Sequence, residues 1–319
     1  MMMQQPMQQQ QQQQQPMMMQ QPMMMMQQQP MMMQPTMPPL EHFLAASSFL
    51  TVKQEVEMLE AIVGFETENE YKIIGIDAST MQAGQIGKAF EQSDCCTRQM
   101  CGPQREFQMR IQCAYGAGPK LDVLRLERPF RCCQSPCCCM LQELTVIKVA
   151  NSMEPMEMPL GKVQEIFAPC GPRINIFDQN GVVLYLVEGP CIRCDNCCCE
   201  VTFEIKVGGE NGACGVPRAI AFNQSRAAGL LASLHNGKAA PRIHRVVACA
   251  GPVCGTLKKM AGDALTETFT DADTFGIQFP SGPQFPHGCP TQHKALLLGC
   301  VFLIDMMFFE KGNDEQGAY

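Results

Sequence analysis

Cysteine carries the densest chemistry in this 319-residue chain, which holds 20 of them. They come in runs. Cys132, Cys133, Cys137, Cys138 and Cys139 form one block, and Cys191, Cys194, Cys197, Cys198 and Cys199 form another. Adjacent cysteines make a poor disulfide framework. The N-terminus also lacks the basic and apolar regions of a secretory signal, so the thiols are expected in a reducing compartment. Metal ligation and acylation remain. The second block reads C-x-x-C-x-x-C-C-C, a metal-ligand spacing in which thiolates such as Cys191, Cys194, Cys197 and Cys198 could close a tetrahedral zinc site or hold an iron–sulfur cluster. A second pair could come from Cys95, Cys96 and Cys101; plain reduced thiols fit the spacing equally. The first block has no histidine near it. A long acyl chain on a thiol contributes about 0.8 kcal/mol per buried CH2, and two chains anchor firmly where one is marginal. Arg125, Arg128 and Arg131 beside it would each add roughly 1 kcal/mol at an anionic surface.

Carboxylates make the third cluster. Asp271-Ala272-Asp273-Thr274-Phe275-Gly276 has the D-x-D and sixth-position glycine of an EF-hand loop, but position 12 is Gly282 and the bidentate glutamate is missing. In an extended chain residues i and i+2 face one way, which suits a shared cation. Two carboxylates would hold calcium at about 10⁻⁴–10⁻³ M or weaker, and a solvated strand end is the plain alternative. Enzyme motifs are lacking: no G-x-x-x-x-G-K-[ST], no H-E-x-x-H, no G-x-S-x-G. His42, His235, His244, His287 and His293 lie in tail or atypical segments, which argues against histidine catalysis. The net charge of −7 and pI near 5.3 argue against nucleic-acid binding as the main role. Lys258 and Lys259 read as a solvated face.

These groups need a scaffold. Residues 1–40 are almost wholly Met, Gln and Pro and are expected to be disordered, with Pro35 to Pro38 (P-x-x-P) a candidate contact for protein partners. Glu41 to Val63 reads as an amphipathic helix, with Leu50, Val52, Val56, Leu59 and Val63 near helical spacing. From Tyr71 the period becomes two. Phe107, Met109, Ile111 and Cys113 alternate with Gln108, Arg110 and Gln112; Leu121–Leu126, Leu144–Val149 and Val201–Val207 are further strands. Asp178-Gln179-Asn180-Gly181 between apolar runs is a hairpin signal. Gly208 to about Thr256 breaks the pattern and reads as an insertion (about 208–254). Phe269–Pro280 is strand-like again. The most apolar run is Ala295–Phe309. As a helix it has no polar face and spans roughly 22 Å, against about 30 Å of hydrocarbon in a bilayer. Asp305 inside it would cost roughly 2.5–3.5 kcal/mol at mid-membrane. Both facts favour a helix enclosed by protein, with Asp305 near its end within reach of polar loop groups. A closed antiparallel barrel supplies such a shell.

ETENEYKI (67–74 with its flank), DCCTRQMCGPQREFQMRI, LERPFRCCQSPCCCMLQELTV, EGPCIRCDNCCCEVTFEIKV, DADTFGIQFP and LGCVFLIDMMFFE resemble the phospholipid scramblase family over roughly 65–207 and 253–310. The resemblance implies a mainly β, tubby-like closed antiparallel barrel of about 12 strands in residues 41–310, around a hydrophobic C-terminal helix (295–309). A disordered N-terminal tail precedes it and a short tail (311–319) follows. It implies palmitate on Cys132, Cys133, Cys137, Cys138 and Cys139. It also implies calcium at Asp271 and Asp273, with Thr274, Gly276 and Gln278 in the same segment. The implied activity is calcium-dependent, ATP-independent, bidirectional movement of membrane phospholipids, without covalent chemistry. Location at the cytoplasmic face of a membrane follows, the plasma membrane first, peripheral by acylation or single-pass, with a nuclear pool. The alternative is a membrane-tethered adaptor that binds lipid or protein and moves neither. Two departures stand out: about 40 residues inserted after Val207, and Ser281-Gly282-Pro283-Gln284-Phe285-Pro286 where the family carries acidic residues. Each is either a genuine loop or translated intron sequence.

Overall fold

The computed structural model describes residues 37–55, 68–77, 80–101, 104–114, 120–131, 141–166, 168, 171–190, 200–208, 251–260 and 273–310. The N-terminal Met/Gln/Pro segment, both cysteine runs, Asp271, nearly all of the insertion and residues 311–319 lie outside them.

Twelve strands close into one antiparallel barrel: β1 (Ser47–Glu55), β2 (Glu70–Asp77), β3 (Ala83–Gln92), β4 (Phe107–Cys113), β5 (Leu121–Arg128), β6 (Glu143–Lys148), β7 (Met158–Glu165), β8 (Arg173–Asp178), β9 (Val183–Glu188), β10 (Val201–Val207), β11 (Val253–Lys259) and β12 (Thr274–Gln278). Each strand pairs with its sequence neighbours, and β1 closes the ring on β12 from Phe49 opposite Gln278 to Lys53 opposite Thr274. Closure leaves no edge strand to template aggregation. The two-residue period selects the inner face: Phe107, Met109, Ile111 and Cys113 on β4, and Val201, Phe203 and Ile205 on β10, are buried. The Asn-Gly signal closes the β8–β9 hairpin as expected. Gly181 takes φ +79, and Asp178 accepts from the backbone N–H groups of Asn180 and Val182 at 2.9 and 2.8 Å.

Through the barrel runs the apolar helix. The helix α1 (Pro39–Leu44) precedes β1, α2 (Cys95–Cys101) sits between β3 and β4, and α3 (Thr291–Phe308) fills the core. Every α3 residue from Lys294 to Met307 is buried, against inward side chains of the strands. Phe302 meets Tyr71 edge-on at 5.1 Å between ring centroids. Gly299 marks the tightest approach: a Cβ there would lie 2.8 Å from Val146 Cγ2.

The structure corrects the sequence reading in several places. Glu41–Val63 is not one helix. The α1 turn ends at Leu44, and Ser47–Glu55 forms β1, with Leu50 and Val52 inward. Their two-residue spacing fits both periods, and pairing on both sides with β2 and β12 selects strand. The core helix begins at Thr291, one turn before Ala295, because Pro290 leads into its first turn and Lys294 is buried despite its charge. The insertion ends earlier than Cys254: Val253 and Cys254 belong to β11, and Gly251 and Pro252 already bond Val207. Phe269–Pro280 contributes a strand only over β12. The helix α2 was not anticipated.

Candidate functional site

Because the strands run up and down in sequence order, their connections alternate between two ends of the barrel. The connections β1–β2, β3–β4, β5–β6, β7–β8, β9–β10 and β11–β12 share one end with the C-terminus of α3. Hence Cys132–Cys139 (β5–β6), Cys191–Cys199 (β9–β10), α2 and the D-x-D segment (β11–β12), far apart in sequence, are all connections at one end.

A polar network lies beneath that end. Arg105, 1 % exposed, donates Nε to Glu91 Oε1 at 2.6 Å and Nη2 to Glu91 Oε2 at 2.9 Å and Glu310 Oε1 at 2.7 Å. Asn69 donates Nδ2 to Glu91 Oε2 at 2.8 Å and Glu310 Oε1 at 3.3 Å, and accepts from Gln54 Nε2 at 2.8 Å. Burial pushes the Glu91 carboxyl up, but Arg105 outweighs it and leaves the group below its ordinary value. For Glu310 burial wins over Arg105, and its carboxyl stands above the usual range. Alongside, Arg128 is drawn down to about 10 by burial and gives Nη2 to Gln142 Oε1 at 2.8 Å.

Asp305 sits one turn before the helix end and is 3 % exposed. Tyr71 on β2, a strand residue rather than the expected loop group, donates its hydroxyl to Asp305 Oδ2 at 2.7 Å. Burial first, then the nearby Asp273 carboxylate, raise the Asp305 pKa well above the ordinary carboxyl value. Asp273, immediately before β12, pairs with Lys259 at 2.9 Å, and its backbone N–H donates to Gln54 Oε1 at 3.3 Å. Lys259 is therefore no solvated face. Its side chain is only 14 % exposed and its ammonium stands 4.7 Å from the Phe309 ring centroid. Lys258 does face solvent, paired with Glu200.

The candidate calcium residues are brought together only in part. Asp271 lies outside the described residues. Thr274 follows Asp273 directly, but Gln278 ends β12, about 13 Å from Thr274 at roughly 3.3 Å per residue. A single ion with ligands at about 2.3–2.6 Å does not reach both. Gly276 is a packing position, where a Cβ would meet Met260 Cε and Phe49 Cζ at 2.8 Å. Calcium takes about 6–8 oxygens. The described residues offer Asp273, already ion-paired, and the buried Asp305 carboxyl, so by themselves they do not make a calcium cage, and no cluster of three or more His, Cys, Asp or Glu with metal-site geometry occurs among them. Nor is a thiolate centre assembled among the described cysteines: Cys96 is exposed on α2, and Cys101 at its end is half-buried.

Sequence reasoning missed Tyr71, Glu91, Arg105 and Glu310, whose only local signal is a charge inside or beside an apolar strand or helix. At the opposite end it missed Lys294, which donates Nζ to the carbonyls of Leu44, Ala45 and Ser47 at 2.9, 2.9 and 2.7 Å and ties the start of α3 to α1. It also missed His293, whose Nδ1 lies 2.9 Å from the Tyr185 hydroxyl.

The family profile described as Scramblase matches residues 24–216 and 244–311. This chain belongs to the scramblase family. Phospholipid scramblase 1 of Mus musculus is 33% identical over 282 residues, 88% of this chain and 66% of that protein. Phospholipid scramblase 1 of Homo sapiens is 33% identical over 280 residues (88% and 69%), and phospholipid scramblase 2 of Bos taurus is 33% identical over 280 (87% and 74%). The chain thus spans about two thirds of the length of the scramblases it matches first. No solved structure matches it. The scramblase match passes without a break through Ser281–Lys294 and omits 217–243, inside the insertion.

Proposed function

We propose that this protein moves phospholipids in both directions between bilayer leaflets, without ATP, under the control of calcium. The observation that carries the reading is family membership, together with relatives named phospholipid scramblases matched over 88% of the chain. Lipid movement asks for no nucleophile or acid–base pair; it needs a lowered barrier for a polar head group to cross hydrocarbon. Palmitate on Cys132, Cys133, Cys137, Cys138 and Cys139 would bring the barrel end that carries the β5–β6 connection to the cytoplasmic face of a membrane, the plasma membrane first. Calcium dependence is assigned to Asp271 and Asp273, with an affinity of about 10⁻⁴–10⁻³ M. On this chain's own residues, calcium would compete with Lys259 for the Asp273 carboxylate. No step of lipid transfer is routed through the ion.

One observation favours a second reading. The α3 helix fills the barrel, so the lumen offers a head group no path. A membrane-tethered adaptor that binds lipid or protein without moving lipid has the same shape. Reconstitution in symmetric vesicles with a dithionite-quenched lipid reporter separates the two. Quenching beyond the outer-leaflet half, dependent on calcium, supports scrambling. Quenching that stops at half with and without calcium, by protein that is membrane-bound, supports the adaptor.

A further inference from the structure

The barrel end opposite the cysteine runs has its own character. Of the seven large apolar side chains left exposed among the described residues, six belong to this end: Met37, Met81, Met153, Met156, Val182 and Val253. They stand on separate connections. Met81 and Met156 are 76% and 78% exposed. Met81 also takes φ +54, the only positive φ at a non-glycine residue among those described. That conformation is uncommon for an L-residue and favours glycine or asparagine, so a fully exposed methionine is held there against local preference. The same end is acidic: Asp77, Asp122, Glu154, Glu157 and Asp178 stand at strand ends and in connections, against Lys120 and Lys148. An acidic rim disfavours an anionic leaflet as the apolar tips' partner.

Both ends of the inserted segment leave from this place. Gly251 N–H donates to Val207 O at 3.1 Å and Val207 N–H to Pro252 O at 3.4 Å, so residues 208 and 251 stand side by side on the β10–β11 hairpin. The ladder is complete without the residues between them. Those residues, 209–250, carry the opposite charge: Arg218, Arg226, Lys238, Arg242 and Arg245 against Glu210 alone. They also carry apolar runs, Ala227-Ala228-Gly229-Leu230-Leu231 and Val246-Val247.

We propose that this acidic, methionine-tipped end of the barrel is a docking surface whose occupant is the chain's own 209–250 segment. Tether, charge and apolar content all point to that occupant. A segment fixed at both ends beside its target binds at a high effective concentration, so weak contacts suffice. Methionine suits the surface, since its flexible thioether adapts to irregular partners.

The test is methionine oxidation by dilute peroxide, read by peptide mass spectrometry. It compares the full chain with a variant in which 210–249 is replaced by a short Gly/Ser turn, the melting temperature of each being measured first. The hairpin ladder predicts that the shortened chain folds. Oxidation of Met81 and Met156 should be several-fold faster in the shortened chain. In the full chain it should rise toward that rate when salt is raised from about 0.05 to about 0.5 M, as ion pairs are screened. Carbodiimide should also couple Lys238 to a carboxylate of this end within one chain. Equal oxidation in the two chains overturns the proposal. Protection that grows with protein concentration assigns the surface to a second copy, and protection that appears only with phosphatidylcholine vesicles assigns it to lipid; either also overturns it. Should the shortened chain fail to fold, a full chain with Arg218, Arg226, Lys238, Arg242 and Arg245 replaced by glutamine takes its place, with the same two outcomes.

Discussion

Asp305 is the residue at which the apolar helix meets water-like chemistry. Buried, with Asp273 nearby and Tyr71 donating to it, its carboxyl has a pKa raised well above the ordinary value. For a carboxyl raised in the folded state, its stability contribution is whole below the unfolded pKa of about 3.9 and is lost as pH rises through the folded value. Asp305→Asn keeps the shape and the acceptor and removes that loss. The variant should therefore melt higher than the parent at about pH 8, and the gap should vanish near about pH 4. A gap that does not change with pH would mean that Asp305 is already ionised in the folded chain. Glu91 has the opposite sign. Arg105 holds it below its ordinary value, so its contribution is present at neutral pH and lost as pH falls. Lys259 tests the calcium reading at the same scale. Lys259→Met removes the competitor for Asp273, and calorimetry should find calcium bound about tenfold tighter, a change of about 1.4 kcal/mol. Unchanged affinity would place calcium away from Asp273.

At the level of elements the barrel and its helix are one core. A charge in the middle of α3 has no partner and no water. Leu303 is 0% exposed, and Leu303→Arg should cost several kcal/mol, a large share of the roughly 5–15 kcal/mol that keeps a domain folded. The expected result is an unfolded, aggregating domain by circular dichroism. If the variant stayed folded and merely left the membrane, α3 would be a membrane span and its enclosure here would be wrong. Strands were legible wherever the two-residue period was clean, as in β4, β10 and the β8–β9 hairpin. The region Glu41–Val63 was misread because Leu50, Val52 and Val56 satisfy a helix as well as a strand. Only pairing with β2 and β12 settles such a segment.

For the whole molecule, the up-and-down topology sorts function by end. One end carries the cysteine connections, Asp273 and the close of α3; the other carries the methionine tips and the insertion. If the first end meets the membrane through acyl chains, replacing Cys132, Cys133, Cys137, Cys138 and Cys139 with alanine should move the protein to the soluble fraction in fractionation. Acyl-exchange labelling of that peptide should vanish too. Retention on membranes with all five gone would rule out that anchor. Transcript reads across codons 208–256 and 280–294 should be continuous, since Cys289 and Lys294 are built into the core and the β10–β11 ladder closes on both sides of the insertion. A spliced-out junction at either place would reject this expectation.

Composition and period alone were enough for the broad architecture: alternation specifies strands, and an all-round apolar helix of insufficient length for a bilayer requires a protein shell. Motif strings were enough for the family. They did not reach the ion pairs and hydrogen bonds that finish the core. Arg105 with Glu91 and Glu310, Tyr71 with Asp305, and Lys259 with Asp273 join residues 14 to 234 positions apart. A lone charge in a strand looks the same in sequence whether it faces water or a buried partner. Which it faces depends on how the twelve strands close, because closure chooses the inner face and brings the connections of one end together.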